Sequence, residues 1–150
     1  MDWKLIIKIA IVGLSISSLS FGMKKATVYD AVRTGDIQKI ESLLESGEDI
    51  NQPEGINGWT PLYSACFGNE VAVVEMLIEK GADVNKGTHN GFTPLHAAST
   101  CGYFNIVKIL VESGADVEHK NCYGSTPLAL TGNELIKNYL SKAIVEKHIR

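Results

Sequence analysis

The heptapeptide Asn57-Gly58-Trp59-Thr60-Pro61-Leu62-Tyr63 returns as Asn90-Gly91-Phe92-Thr93-Pro94-Leu95-His96 and again as Tyr123-Gly124-Ser125-Thr126-Pro127-Leu128-Ala129, so Pro61, Pro94 and Pro127 stand 33 residues apart. A fixed period of this length constrains the architecture before any segment is read. Each copy is one supersecondary unit that can bury its apolar face only against its neighbours. A second marker sits downstream in each unit. Glu79-Lys80-Gly81-Ala82-Asp83-Val84-Asn85 recurs 33 residues later as Glu112-Ser113-Gly114-Ala115-Asp116-Val117-Glu118. The first copy, Glu45-Ser46-Gly47-Glu48-Asp49-Ile50-Asn51, lies 34 before the second, which places one extra residue in the loop between Asn51 and Gly58.

Both markers have a conformational reason. Threonine before proline is a helix start: the hydroxyl accepts from a free N–H of the first turn, and proline at the first helical position loses no bond. The glycine of Gly-Ala-Asp-Val stops a second helix by taking a left-handed cap. Between the markers, Val71, Val74, Leu77 and Ile78, and likewise Ile106, Val107, Leu110 and Val111, fall at helical spacing. Each unit therefore reads as helix, turn, helix and exposed loop. Aspartates such as Asp83 and Asp116 follow the stopping glycine, where they read as turn formers.

These residues carry a specific resemblance. Gly-x-Thr-Pro-Leu-His-Ala-Ala, then Ile-Val-Lys-Ile-Leu and Gly-Ala-Asp-Val, resemble the ankyrin repeat most fully over residues 90–118. Residues 57–85 match with Tyr63 in the histidine position and with Gly68-Asn69 in reversed order at the inter-helix turn. Residues 27–51 lack Thr-Pro-Leu-His but keep Ala31, Gly35-Asp36, Ile40, Leu43-Leu44 and Gly47. Residues 123–142 keep Gly124, Thr126-Pro127-Leu128 and Leu135-Ile136, with Ile136 set against Val107 at a spacing of 29, which removes four residues and truncates the first helix. The resemblance implies an all-α solenoid of about four helix–turn–helix units with short hairpin-like loops, at about 24–56, 57–89, 90–122 and 123–150. The terminal units are the atypical ones, as the ends of a stack require.

The 150 residues, 45% hydrophobic and 21% charged, suit one globular array. A formal net charge of -3 provides no basic field for a phosphate backbone, so no nucleic acid partner is expected. Residues 1–22 differ from the rest. Lys4 and Lys8 precede the apolar run Ile9 to Leu19, and Ser20-Phe21-Gly22 places small residues at alternate positions. That order reads as a signal peptide cleaved after Gly22, which makes the protein exported, periplasmic or secreted, with 23–150 as the repeat domain. An uncleaved segment would instead tether the stack to a membrane, although Lys8 interrupts the span. Cys66, Cys101 and Cys122 form an odd set without a disulfide framework. Cys66 beside Ala65 reads as core, and Cys101 and Cys122 fall at opposite ends of a layer, so no intramolecular bridge is expected.

The residues that could carry chemistry have structural explanations. The resemblance assigns His96 a hydrogen bond back to the turn around Thr93. His89 aligns with Cys122, but stacked layers about 8–10 Å apart hold equivalent atoms too far apart for one metal. His119 and His148 read as solvated loop and terminal residues. No nucleophile elbow, phosphate loop or His-Glu-x-x-His pair is present. No catalytic residue, metal or cofactor is therefore assigned, and no small-molecule substrate is expected. A small enzyme built on His89, His119 and Cys122 is the least favoured alternative, because a thin solenoid encloses little volume.

A protein partner is expected instead. The resemblance points to the concave surface of loop tips and first helices, and so to Ile56, Asn57, Trp59 and Phe67 in one unit. His89, Asn90, Phe92 and Thr100 follow in the next, and Cys122, Tyr123 and Ser125 in the third. Trp59 and Phe92 share one position, which in a regular stack sets two rings side by side as interface anchors. The function read from the sequence is an exported binding module that inhibits, protects or scaffolds a protein. An immunity or inhibitor protein against a toxin is one version, and a membrane-tethered adaptor another.

Overall fold

The computed structural model describes residues 25–149, so the segment read as a signal peptide or anchor lies outside the described residues. Eight helices are described: α1 (Val28–Thr34), α2 (Ile37–Glu45), α3 (Pro61–Phe67), α4 (Val71–Glu79), α5 (Pro94–Cys101), α6 (Phe104–Glu112), α7 (Pro127–Leu130) and α8 (Glu134–Ile149). They form four helix–turn–helix layers, an all-α ankyrin-type solenoid. The first helices pack as the row α1, α3, α5, α7, and behind them α4 packs on α6 and α6 on α8.

Threonine opens every first helix. Thr60 Oγ1 accepts from the Tyr63 N–H at 3.1 Å and Thr126 Oγ1 from the Ala129 N–H at 3.3 Å, with proline next in each case. In the first layer Thr27 holds the same place without proline. Its hydroxyl accepts from the Asp30 N–H, and the Asp30 carboxylate accepts from the Thr27 N–H, each at 3.3 Å. This reciprocal capping box replaces the Thr-Pro-Leu-His motif that residues 27–51 lack. At the far ends of α2, α4 and α6 a glycine at φ near 90° reverses the chain. Beyond it, the N–H groups of Glu48, Ala82 and Ala115 reach back to the carbonyls of Leu43, Leu77 and Leu110.

The reversed Gly68-Asn69 keeps the inter-helix turn intact. Asn69 takes the left-handed conformation, φ 60°, that Gly35 and Gly102 take in the neighbouring layers, and it is the one described non-glycine residue that does so. Asparagine tolerates that region better than other side chains, so α3 and α4 meet as α5 and α6 do.

The fourth layer corrects one alignment. Val107 donates its N–H to the Tyr103 carbonyl and Lys137 its N–H to the Asn133 carbonyl, both at 3.0 Å, so the second helices are offset by 30 residues, not 29. Ile136 matches Ile106 and Leu140 matches Leu110, all four fully buried. The net loss is three residues: α7 has four residues where α5 has eight, and the turn after it is one residue longer. The sequence pair Leu135-Ile136 misled because Leu135, aligned in this way with Asn105, faces solvent.

Leu62, Leu95, Leu77, Leu110, Ile136 and Leu140 lie between layers without exposure to solvent beyond 1%. Burying each contributes roughly 1.5–3 kcal/mol. Ala65 and Ala98 are fully buried where the first helices approach, and Cys66 beside Ala65 is buried as the sequence indicated. Burial pushes the Cys66 thiol well above its usual range and keeps it neutral.

The candidate partner-binding face

Three hairpin tips and the first helices beneath them make one continuous face. Each tip closes on itself: Glu54 and Trp59 exchange backbone bonds at 2.8 and 2.9 Å, Thr88 donates to the Phe92 carbonyl at 3.0 Å, and Asn121 to the Ser125 carbonyl at 3.1 Å. The first tip carries four residues between its closing pair and the others three. The extra residue inferred from the 34-residue spacing is therefore in the tip Gly55-Ile56-Asn57-Gly58. Neighbouring tips are tied by the same bond each time, from His89 N–H to the Asn57 carbonyl and from Cys122 N–H to the Asn90 carbonyl, at 3.0 Å.

Close approach selects glycine at these joints. A Cβ on Gly91 would sit 3.3 Å from the Asn121 Cα, and one on Gly58 would sit 2.4 Å from the His89 ring, which covers it. Both glycines also have positive φ, 74° and 64°.

The residues expected at the interface share this face but differ in availability. Ile56 is 94% exposed, Tyr123 71% and Phe67 49%. Asn57, His89, Asn90, Thr100 and Cys122 are exposed. His89 Nδ1 lies 3.2 Å from the Ile56 carbonyl and Thr100 donates its hydroxyl to the His96 carbonyl at 2.8 Å. Ser125 is half-buried and tied into the scaffold, since its carbonyl accepts from His96 Nε2 at 3.0 Å and its N–H donates to Asn121 Oδ1 at 3.0 Å.

Trp59 and Phe92 do not form the expected side-by-side pair. Trp59 is half-buried and its ring meets Tyr63 at 5.1 Å and Phe67 at 5.3 Å. Phe92 meets His96 at 5.8 Å and Tyr123 at 6.0 Å. Each ring turns toward aromatic neighbours of its own stretch of the stack, where offset and tilted contacts are favourable. The face thus carries two aromatic clusters, one headed by Trp59 and one by Phe92. Tyr29 belongs beside the first cluster and was not anticipated. It lines a cleft of about 200 Å³ with Glu54, Gly55, Ile56, Asn57 and Trp59. Thr27-Val28-Tyr29-Asp30 puts Tyr29 in the place of Leu62 and Leu95, both buried, so the sequence pattern alone does not mark it as a cleft wall.

His96 performs the structural role implied for it. Thr93 donates its N–H to His96 Nδ1 at 3.1 Å while the other ring nitrogen holds Ser125, so the neutral ring links α5 to the last hairpin. Burial pushes its pKa below the usual histidine value. His119 is not a solvated loop residue. It is half-buried, with its ring edge-on to His96 at 5.9 Å. His148 is likewise engaged, at 2.8 Å from Glu118, while Lys147 reaches Asp116 at 2.9 Å and Glu118 at 3.3 Å. The Lys147 hydrogen bond holds the Asp116 carboxyl below the usual range, and that from His148 does the same for Glu118. These contacts fasten the end of α8 to the loop that follows α6. Asp83 and Asp116 form turns, accepting from Asn85 and Glu118 N–H groups.

The structure does not gather His89, His119 and Cys122, which sit over Gly58, against His96 and on an exposed tip. Among the described residues no group of three or more His, Cys, Asp or Glu could hold a metal ion, and no helix is long and apolar enough to cross a membrane. The larger cleft, about 690 Å³, opens between the end of α6 and α8, and none of the nominated interface residues lines it.

Comparison with known proteins agrees with the layered geometry. A family model described as ankyrin repeats in three copies matches residues 28–121. Ankyrin repeat domain-containing protein 40 of Mus musculus is 45% identical over 40 residues, covering 27% of this chain and 11% of that protein, and the Homo sapiens protein matches equally. The 2-5A-dependent ribonuclease of Mus musculus is 37% identical over 60 residues, 36% of this chain and 8% of its own length. The chain thus spans about a tenth of the length of these relatives. Ankyrin repeats in general mediate protein–protein interaction, and with Thr-Pro helix starts, glycine stops and linked hairpins repeating layer by layer, this chain belongs to the ankyrin-repeat family.

Proposed function

We propose that this ankyrin stack binds a protein through the face formed by its hairpin tips and first helices, and that it does so outside the cytoplasm as an inhibitor, protector or scaffold. One observation carries the surface: Ile56, Phe67 and Tyr123 stand exposed on the same side as the half-buried Trp59 and Phe92. Aromatic anchors seated on a rigid support are what protein interfaces enrich. The hairpin bonds supply that rigidity, so little ordering is left to oppose binding. The export component rests on Lys4, Lys8, the apolar run and Ser20-Phe21-Gly22.

Two measurements test this reading. Terminal sequencing of the protein recovered outside the cytoplasm should start at Met23, and a start at Met1 would favour a tethered adaptor. With the recovered partner, Phe67→Ala plus Tyr123→Ala should weaken binding by about 2 kcal/mol or more while the melting temperature holds. Unchanged affinity in that folded variant would remove this face from consideration.

A further inference from the structure

The binding face is nearly free of formal charge, whereas the second helices are rich in it. Beyond α1, which carries Asp30 and Arg33 with opposite signs, the one carboxylate or ammonium between Gln52 and Phe67 is Glu54, between Lys86 and Cys101 it is Lys86, and between Asn121 and Leu130 there is none. The second helices by contrast carry Glu41 and Glu45, Glu75 and Glu79, and Glu112, all in a chain of net charge -3. A partner that reads charge would find it behind the stack, not on the face where the apolar side chains are exposed.

The longer first tip adds shape to this charge pattern. Its extra residue carries the chain outward and leaves Ile56 almost wholly in water, beside the cleft of about 200 Å³. Tyr29 and Trp59 wall that cleft. Trp59 is braced from behind by Tyr63 and Phe67, and its backbone is paired to Glu54 in both directions. The cleft is therefore a fixed, mainly apolar notch at one end of the face, suited to a side chain that gains by leaving water.

We infer that the partner presents a charge-poor segment that seats one large apolar side chain between Tyr29 and Trp59, with Ile56 packing over it. This deepens the binding-face reading and rests on it. Tyr123, two layers along, receives the following part of the same segment. Such an interface forms without electrostatic steering, so its affinity is insensitive to salt.

The test is selection of short random peptides displayed on phage against the immobilised full chain, at about 0.1 M and about 1 M NaCl, where the screening length falls from about 10 to about 3 Å. Enriched peptides should share an uncharged aromatic or aliphatic core and keep their affinity within about twofold between the two salts. They should lose about tenfold or more against Ile56→Asp, as expected when a charge replaces an anchor. Ile56 is almost fully exposed, so that variant should melt as the parent does. Peptides rich in Lys or Arg, or an affinity that collapses with salt, would overturn the inference while leaving the binding face standing. So would peptides indifferent to Ile56→Asp but lost to Phe67→Ala plus Tyr123→Ala. Peptides indifferent to both variants, or no enrichment on this face at all, would overturn both readings.

Discussion

His96 shows how a single side chain joins layers. Its Nδ1 accepts from the Thr93 N–H, so its Nε2 carries the proton donated to the Ser125 carbonyl. Both bonds suit the neutral ring, and protonation would set an N–H against the Thr93 donor. Burial lowers the folded pKa below the ordinary 6.5. The unfolded chain therefore binds more protons once the pH drops beneath 6.5, so the contribution of His96 is fully present above that value and is lost as the pH falls toward the folded pKa. The melting temperature of the parent should fall more steeply between about pH 7.5 and 5.5 than that of His96→Gln, which cannot titrate. Equal slopes would assign the pH dependence to other groups. The role of His96 was legible in its motif. The Thr27–Asp30 capping box is equally written in the sequence, as threonine followed three residues later by an acid, without the proline and histidine that mark the later helix starts. The His119 ring contact was not legible, because it joins residues 23 positions apart whose side-chain directions depend on the stacked layers.

At the scale of elements, the turns decide whether helices meet in register. Asn69 holds the α3–α4 turn in a conformation that other side chains resist, at φ 60°. Asn69→Gly should leave stability within about 0.5 kcal/mol, since easier backbone geometry is offset by a more flexible unfolded chain. Asn69→Ala should cost about 1 kcal/mol or slightly more, because alanine has no compensating local hydrogen bonds in the left-handed region. Urea denaturation of both variants checks this, and a stable Ala variant would mean that the turn relaxes to another geometry. The first tip makes the same point about length. Its extra residue was countable from 34-residue spacing, but its consequence, an isoleucine in water beside an aromatic notch, depends on where Glu54 and Trp59 pair. The register of α8 failed for a related reason. Two adjacent apolar residues, Leu135 and Ile136, gave two alignments, and only the backbone bonds chose between them.

For the whole molecule, each layer contacts only its neighbours, so stability accumulates from intrinsic and nearest-neighbour contributions along the stack. Leu95 is fully buried in a central layer, and Leu95→Ala should cost about 2–5 kcal/mol, a large share of the roughly 5–15 kcal/mol of a typical domain. Leu135→Ala, at a residue 64% exposed, should change stability by no more than about 0.5 kcal/mol. Chemical denaturation monitored by circular dichroism separates the two, and comparable losses would show that α8 buries Leu135 in solution. What the sequence by itself determined was the repeat, the number of layers, the helix starts at threonine and stops at glycine, and the core position of Cys66. Those features depend on local dihedral preference and short-range hydrogen bonding, which a period of 33 displays directly. Only the tertiary structure decided that Trp59 and Phe92 head separate clusters, that Tyr29 completes a cleft, and that Lys147 and His148 close the last layer on Asp116 and Glu118. Tyr29 and Trp59, Phe92 and Tyr123, Lys147 and Asp116, and His148 and Glu118 each lie about one repeat apart, and such partners are set by how the layers stack.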